Sequence, residues 1–228
     1  MRRVDLAETP LRTLNAELHE QRGKLTHGEW RIANPNGMHA VAVGVDAPLS
    51  IEIDGHVGYY CGGMNKQASI RINGTAGPAV AENIMSGSIH VRGDASQGAG
   101  ATGRGGLLVI DGNASARCGI AMKGVDIVVR GNIGHLSAFM AQSGNLVVLG
   151  DAGEALGDSI YEARIFVRGS VKSLGADCVE KPMKAEHQSA LVGLLARAGV
   201  TDVSISAFKR YGSARKLYHF HADNLGSY

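Results

Sequence analysis

DGHVGYYCGG, residues 54 to 63, places Gly55, Gly58 and Gly62 close enough together for backbone amides to crowd an anion. A phosphate cradle also needs a preceding strand and a following helix with Lys-Ser/Thr or a distal acid. The stretch instead recurs. Steps of 19 residues from Gly55 lead to Gly74, Gly93, Gly112, Gly131, Gly150 and Gly169 without an insertion. Four residues before these glycines stand Ile51, Ile70, Ile89, Leu108, Ile127, Leu146 and Ile165. Two before stand Ile53, Ile72, Val91, Ile110, Val129, Val148 and Val167. Two after come Val57, Ala76, Ala95, Ala114, Ile133, Ala152 and Val171, and seven after, only small residues: Gly62, Ala81, Gly100, Gly119, Ala138, Gly157 and Ala176.

Each unit therefore holds a short strand with apolar side chains at period two, a glycine turn and a small-residue corner, which is one coil of a parallel β-solenoid. The expected fold is all-β, a right-handed parallel β-helix of about seven 19-residue coils with short flanking helices. At about 4.8 Å per coil the rod is roughly 34 Å long. Glycine at the turn is expected to supply backbone conformations that other residues resist. The Gly/Ala corner is expected to let successive coils approach. Coils of such arrays touch only their neighbours and need capped ends.

The chain has 228 residues, enough for this array and its flanks. Its formal net charge of +2 and the lack of a basic block argue against nucleic acid. The N-terminus lacks a signal-like apolar core and no 18-residue apolar run occurs, so no membrane partner and a cytoplasmic location are expected. Cys61, Cys118 and Cys178 form no CxxC pair. Cys61 and Cys118 share a phase three coils apart, roughly 14 Å, too far for a disulfide, and read as small corner residues.

Residues 1–49 are expected to form an N-terminal helix and an irregular cap, 50–183 the β-helix, and 184–228 a C-terminal helix and strand tail. The helix signature of 9–23 has Thr9 as N-cap, Pro10 at the first position, Leu11, Leu14 and Leu18 on one stripe and Gly23 as terminator. Strand-like pieces around Trp30 and Ile32, then Val41 to Val45, break the period and are expected to start the solenoid irregularly. After Gly169 the next glycine position holds Gln188 and the array stops. KAEHQSALVGLLARAG carries an apolar stripe of Ala190, Leu191, Leu194, Leu195 and Ala198, closed by Gly199. DVSISAF and KLYHFHA then alternate like strands, with Val203, Ile205 and Ala207 on one face.

Three residues before the glycines, on the outward phase, stand Glu52, Arg71 and His90, then Val109, Val128, Val147 and Phe166. Four successive outward apolar residues need a cover. The plainer candidate is the C-terminal helix of the same chain; the other is a second subunit, for which Val109, Val128, Val147 and Phe166 would be the interface.

No gathering of acids, bases or ligands stands out. Arg92, Asp111 and Arg130 would stack on adjacent rungs as a charge ladder, each exposed pair contributing about 0 to 1 kcal/mol. His219 and His221 would point the same way from one strand, a two-ligand start without a third ligand. His135 is alone in its phase. No catalytic, cofactor-binding or metal-binding residue is therefore assigned. Nineteen residues per coil also breaks the six-residue unit of acyltransferase solenoids, and the clustered acids of polysaccharide-cleaving ones are missing.

The pattern G-x-x-G-x-x-x-G, as in GHVGYYCG (55 to 62) and GDAGEALG (150 to 157), resembles the GXGXG β-helix family. That family includes the C-terminal domain of the glutamate synthase large subunit and the β-helix component of formylmethanofuran dehydrogenase. The likeness covers about residues 50 to 183, with SLGADCVEKPM (173 to 183) similar to the closing segment. As a stand-alone chain with short flanks, it is most similar to the β-helix subunit of the N-methylglutamate synthases, the methylamine-glutamate N-methyltransferases. That resemblance implies a structural subunit of an assembly making N-methylglutamate and ammonia from methylamine and glutamate. It further implies two partners, a class-II glutamine amidotransferase-like subunit and an FMN-binding glutamate synthase-like subunit. FMN and an iron-sulfur cluster would reside on the latter and no cofactor on this chain. The same scaffold in a split glutamate synthase or a formylmethanofuran dehydrogenase, and a self-sufficient β-helix enzyme, are the alternatives.

Overall fold

The computed structural model describes residues 1–24 and 28–215. Among the described residues eleven strands form one continuous sheet. Seven of them are the repeat strands: β3 (Ser50–Asp54), β4 (Ser69–Ile72), β5 (Ser88–Val91), β6 (Leu107–Ile110), β7 (Lys123–Val129), β8 (Ser143–Val148) and β9 (Arg164–Val167). They pair in parallel and in register, so that Ile51 faces Ile70, Ile70 faces Ile89, and the column continues to Leu146 beside Ile165. All fourteen aliphatics of the two pre-glycine phases are buried. The residues two after each glycine form a second parallel seam of single bridges, Val57 to Ala76 and onward to Val171.

The solenoid begins earlier than its strict period. Strand β2 (Glu29–Ala33) pairs in parallel with β3, Trp30 opposite Ile51 and Ile32 opposite Ile53. Strand β1 (Arg2–Asp5) pairs in parallel with β2. Between them, helix α1 (Leu11–His19) buries Leu14 and Leu18 against the end of the core. Asn15 Nδ2 donates to Ala40 O at 2.9 Å and the Ala42 amide donates to Asn15 Oδ1 at 3.1 Å, tying this cap to the coil beneath. The helix is shorter than its sequence signature. Pro10 occupies the N-cap, and past Glu20 the chain tightens into bonds from Gln21 N to Leu18 O and Arg22 N to His19 O, well before Gly23.

At the other end, strand β10 (Cys178–Lys181) leads into helix α2 (Ala185–Arg197), which Gly199 closes at φ 68°. The chain then returns as β11 (Lys209–Ser213), inserted antiparallel between β9 and β10. The expected strand through Val203, Ile205 and Ala207 is instead a loop with a single 3-10 turn at Ile205–Ala207. Val203 and Ile205 still pack against the apolar residues under α2, whereas Ala207 is exposed. The KLYHFHA stretch, with His219 and His221, lies outside the described residues.

The two small-residue phases have exchanged the roles expected of them. Within the progression only Gly55 has a positive φ, 134°. The later glycines are required by close approach: a Cβ on Gly131 would lie 2.7 Å from Gly112 O and 2.8 Å from its carbonyl carbon. The left-handed backbone sits at the corner, as at Tyr60, Gly62 and Met64, with φ 63°, 64° and 57°, and at Leu136, Ala138 and Met140, with φ 55°, 56° and 52°. Alternate left-handed residues aim successive amides to opposite sides. Tyr60 N reaches Pro78 O on the next coil, Gly62 N reaches Val41 O on the previous one, and Met64 N reaches Glu82 O. Each non-glycine residue held there costs about 1–2 kcal/mol, which these inter-coil bonds offset. From Gly62 to Gly157 the residue seven after the glycine is buried and must be small, whereas Ala176 in the last coil is exposed; a Cβ on Gly62 would lie 2.6 Å from Ile89 Cδ1.

Candidate functional site

The outward face of the sheet carries the features that bear on function. Strand alternation puts Val109, Val128, Val147 and Phe166 in one outward row, and α2 lies across it. Leu191, Leu194, Leu195 and Ala198 meet the row, and Leu107, Leu149, Val200 and Phe208 close its margins. Phe166, Val128 and Val147 are fully buried. The cover is thus the helix of the same chain. A partner approaching this side meets the outer face of α2, where Val192 is 51% exposed, instead of the valine row itself.

A polar clamp holds α2 in place. Asp111 receives His90 Nε2 at 2.9 Å, Arg92 Nε at 3.2 Å and Arg130 Nε at 3.1 Å. Arg130 then extends Nη2 to the carbonyl oxygens of Ala198 and Gly199, at 3.2 and 3.0 Å. Those are orphan acceptors at the negative end of the helix dipole, where a cation is favoured. The adjoining residue Arg197 donates from Nη1 to Asp126 Oδ2 at 2.8 Å. The expected ladder of exposed charges at Arg92, Asp111 and Arg130 is therefore a fastening, and Asp111 is engaged by three side chains.

A second polar row escaped the sequence reading. The residue directly after each progression glycine is His56, Thr75, Asp94, Asn113, Asn132, Asp151 or Ser170. Asp94 Oδ1 accepts the Asn113 amide at 2.7 Å, Asn113 Oδ1 accepts that of Asn132 at 2.9 Å, Asn132 Oδ1 that of Asp151 at 2.8 Å, and Asp151 Oδ1 that of Ser170 at 2.7 Å. His56 Nδ1 takes the Thr75 amide at 3.0 Å. The bonds from Ser170 hold the Asp151 carboxyl below its usual range, the backbone amide contributing most. The signal was available as a column of short polar side chains at one phase.

The remaining sequence candidates stay apart. Burial pushes the Cys61 and Cys118 thiols up to about 12, the opposite of nucleophile activation. His135 is exposed on its own coil. Among the described residues no group of three or more His, Cys, Asp and Glu is placed to hold a metal ion, and no helix is long and apolar enough to cross a membrane. What the arrangement does is geometric: it stacks coils in fixed register and presents ordered rows on each face.

No model of a known protein family matches the chain. It is 62% identical over 225 residues to Protein GlxC of Rhizobium meliloti (strain 1021), an alignment covering 99% of each chain. With near-complete coverage at that identity, this chain belongs to the GlxC protein family.

Proposed function

We propose that this chain is the β-helix scaffold subunit of a glutamate synthase-related assembly of the N-methylglutamate synthase type, holding an amidotransferase-like subunit and an FMN-binding subunit in fixed relation. In such an assembly the partners convert methylamine and glutamate to N-methylglutamate and ammonia, and FMN and an iron-sulfur cluster belong to the FMN-binding partner. The observation carrying this reading is the constant 19-residue register of the core columns across seven coils, in a chain bearing the G-x-x-G-x-x-x-G pattern. A stack tied at the sheet, at the bridge seam and through the post-glycine side chains cannot flex at one coil without breaking bonds to its neighbours. That is the property required of a frame for preorganised sites.

Affinity isolation of the tagged chain from its native lysate, with mass spectrometry and a visible spectrum, tests the proposal. The expected result is an amidotransferase-like chain and a yellow flavoprotein in fixed ratio. A molybdenum or tungsten pterin partner would indicate the formylmethanofuran dehydrogenase setting. A colourless homo-oligomer would refute the scaffold reading.

A further inference from the structure

We propose that a small dianionic oxyanion, of the phosphate or dicarboxylate class, binds in the basic cleft where α2 begins, beside β9, β10 and β11. The cleft has a volume of about 380 Å³, and its lining includes Arg164, Lys181, His187, Arg210, Ser213 and Arg215. Register explains the convergence. Arg210 lies opposite Phe166 on β9 and opposite Lys181 on β10. Alternation along β9 then puts Arg164 on the same face as Phe166. The row that is apolar under the body of α2 thus turns basic where the helix starts.

Gly212 leaves room among these cations. A Cβ there would have no neighbour nearer than 3.8 Å, the closest being Ala163 O, Arg210 Nη1 and Lys181 Cγ. Arg210 Nε donates to Pro182 O at 3.1 Å, which fixes the guanidinium while leaving its other donors for a ligand.

Among the described residues cations outnumber carboxylates in the cleft lining, where Arg164, Lys181, Arg210 and Arg215 stand beside Glu162. Arg215 is paired with Asp177, Glu186 lies 3.6 Å from His187, and Glu162 lines the cleft with contacts of its own. Among the described residues Arg164, Lys181 and Arg210 have no carboxylate within ion-pair distance. Burial and then Arg164 lower the Arg210 pKa, and burial and then Arg210 lower that of His187, with Arg164 and Lys184 acting in the same sense and Glu186 opposing. Two guanidinium forks facing one space suit a ligand with several acceptor oxygens and two negative charges. The site is independent of the scaffold reading.

Calorimetric titration of the full chain at pH 8 with inorganic phosphate, and separately with glutarate, at constant ionic strength in chloride, tests the site. Saturable one-to-one binding of either anion is expected, and the better ligand identifies the class. Arg164→Gln should weaken it at least about tenfold while melting in chloride stays unchanged, as the exposed Arg164 side chain makes no hydrogen bond or ion pair among the described residues. Lys181→Gln should weaken it from another strand, and Arg22→Gln, far from the cleft, should not. Saturation should also raise the His187 imidazole pKa, read by NMR. No saturable binding of either anion, or equal losses in Arg164→Gln and Arg22→Gln, would overturn the proposal.

Discussion

Arg130 donates from Nη2 to Gly199 O at 3.0 Å, joining the end of β7 to the closing turn of a helix, across 69 residues of chain. The same side chain holds Asp111 through Nε, so one residue links the charge row of the solenoid to its apolar cover. Arg130→Ala should therefore cost about 1.5–3 kcal/mol, the range for hydrogen bonds to charged groups. Denaturant titration reads the loss, and amide exchange should show α2 opening ahead of the sheet.

The cover can be tested from its apolar side. Leu191→Asp puts a carboxylate against Val128, Val147 and Phe166 with no partner there, and should detach α2 and expose the row. Self-association in sedimentation velocity is the expected readout; a monomer that melts like the parent chain would contradict the packing. Phe166→Ala, which empties the largest fully buried side chain, should cost about 3–5 kcal/mol.

Two glycine substitutions should have opposite signs. Gly131→Ala drives a Cβ into the backbone of Gly112 and should destabilise the array severely. Gly193→Ala lies in the interior of α2 with nothing within 4 Å, and should stabilise by about 0.5–1 kcal/mol through helix propensity. Thermal melts read both, and because Gly131 has no positive φ, a large loss in Gly131→Ala marks steric stacking as the reason for glycine there.

The buried thiols make stability fall in alkali. Folding raises Cys61 and Cys118 from 9.0 to about 12, so above pH 9 the unfolded chain binds fewer protons than the folded one. Their contribution is fully present below pH 9 and is lost as pH climbs toward 12. Cys61→Ala with Cys118→Ala should flatten that alkaline decline, and thiol reagents should label neither residue until the chain unfolds.

Much of this architecture was legible because a solenoid repeats its constraints. The inward columns ending at Ile165 and Val167 and the apolar row ending at Phe166 follow from period two and period 19 alone. The glycine roles were not legible, because small side chains serve both a left-handed backbone and a tight approach, and only coordinates separate Gly62 from Gly131. The irregular start through Trp30 and Ile32 was legible as strand-like pieces, but not its register, since its spacing to β3 is longer than the repeat. Strand β11 was missed because antiparallel insertion between β9 and β10 depends on long-range pairing, and its KRYGS sequence carries little alternation. The clamp through Arg130 needed α2 placed before an arginine row could be distinguished from a solvated face.

The most direct measurement is reconstitution of N-methylglutamate formation from methylamine and glutamate with the amidotransferase-like and FMN-binding partners, with and without this chain. The scaffold account predicts activity from the three-part assembly, little from the partners alone and none from this chain alone. Full activity from the partners without it, or turnover by the isolated chain, would contradict the account.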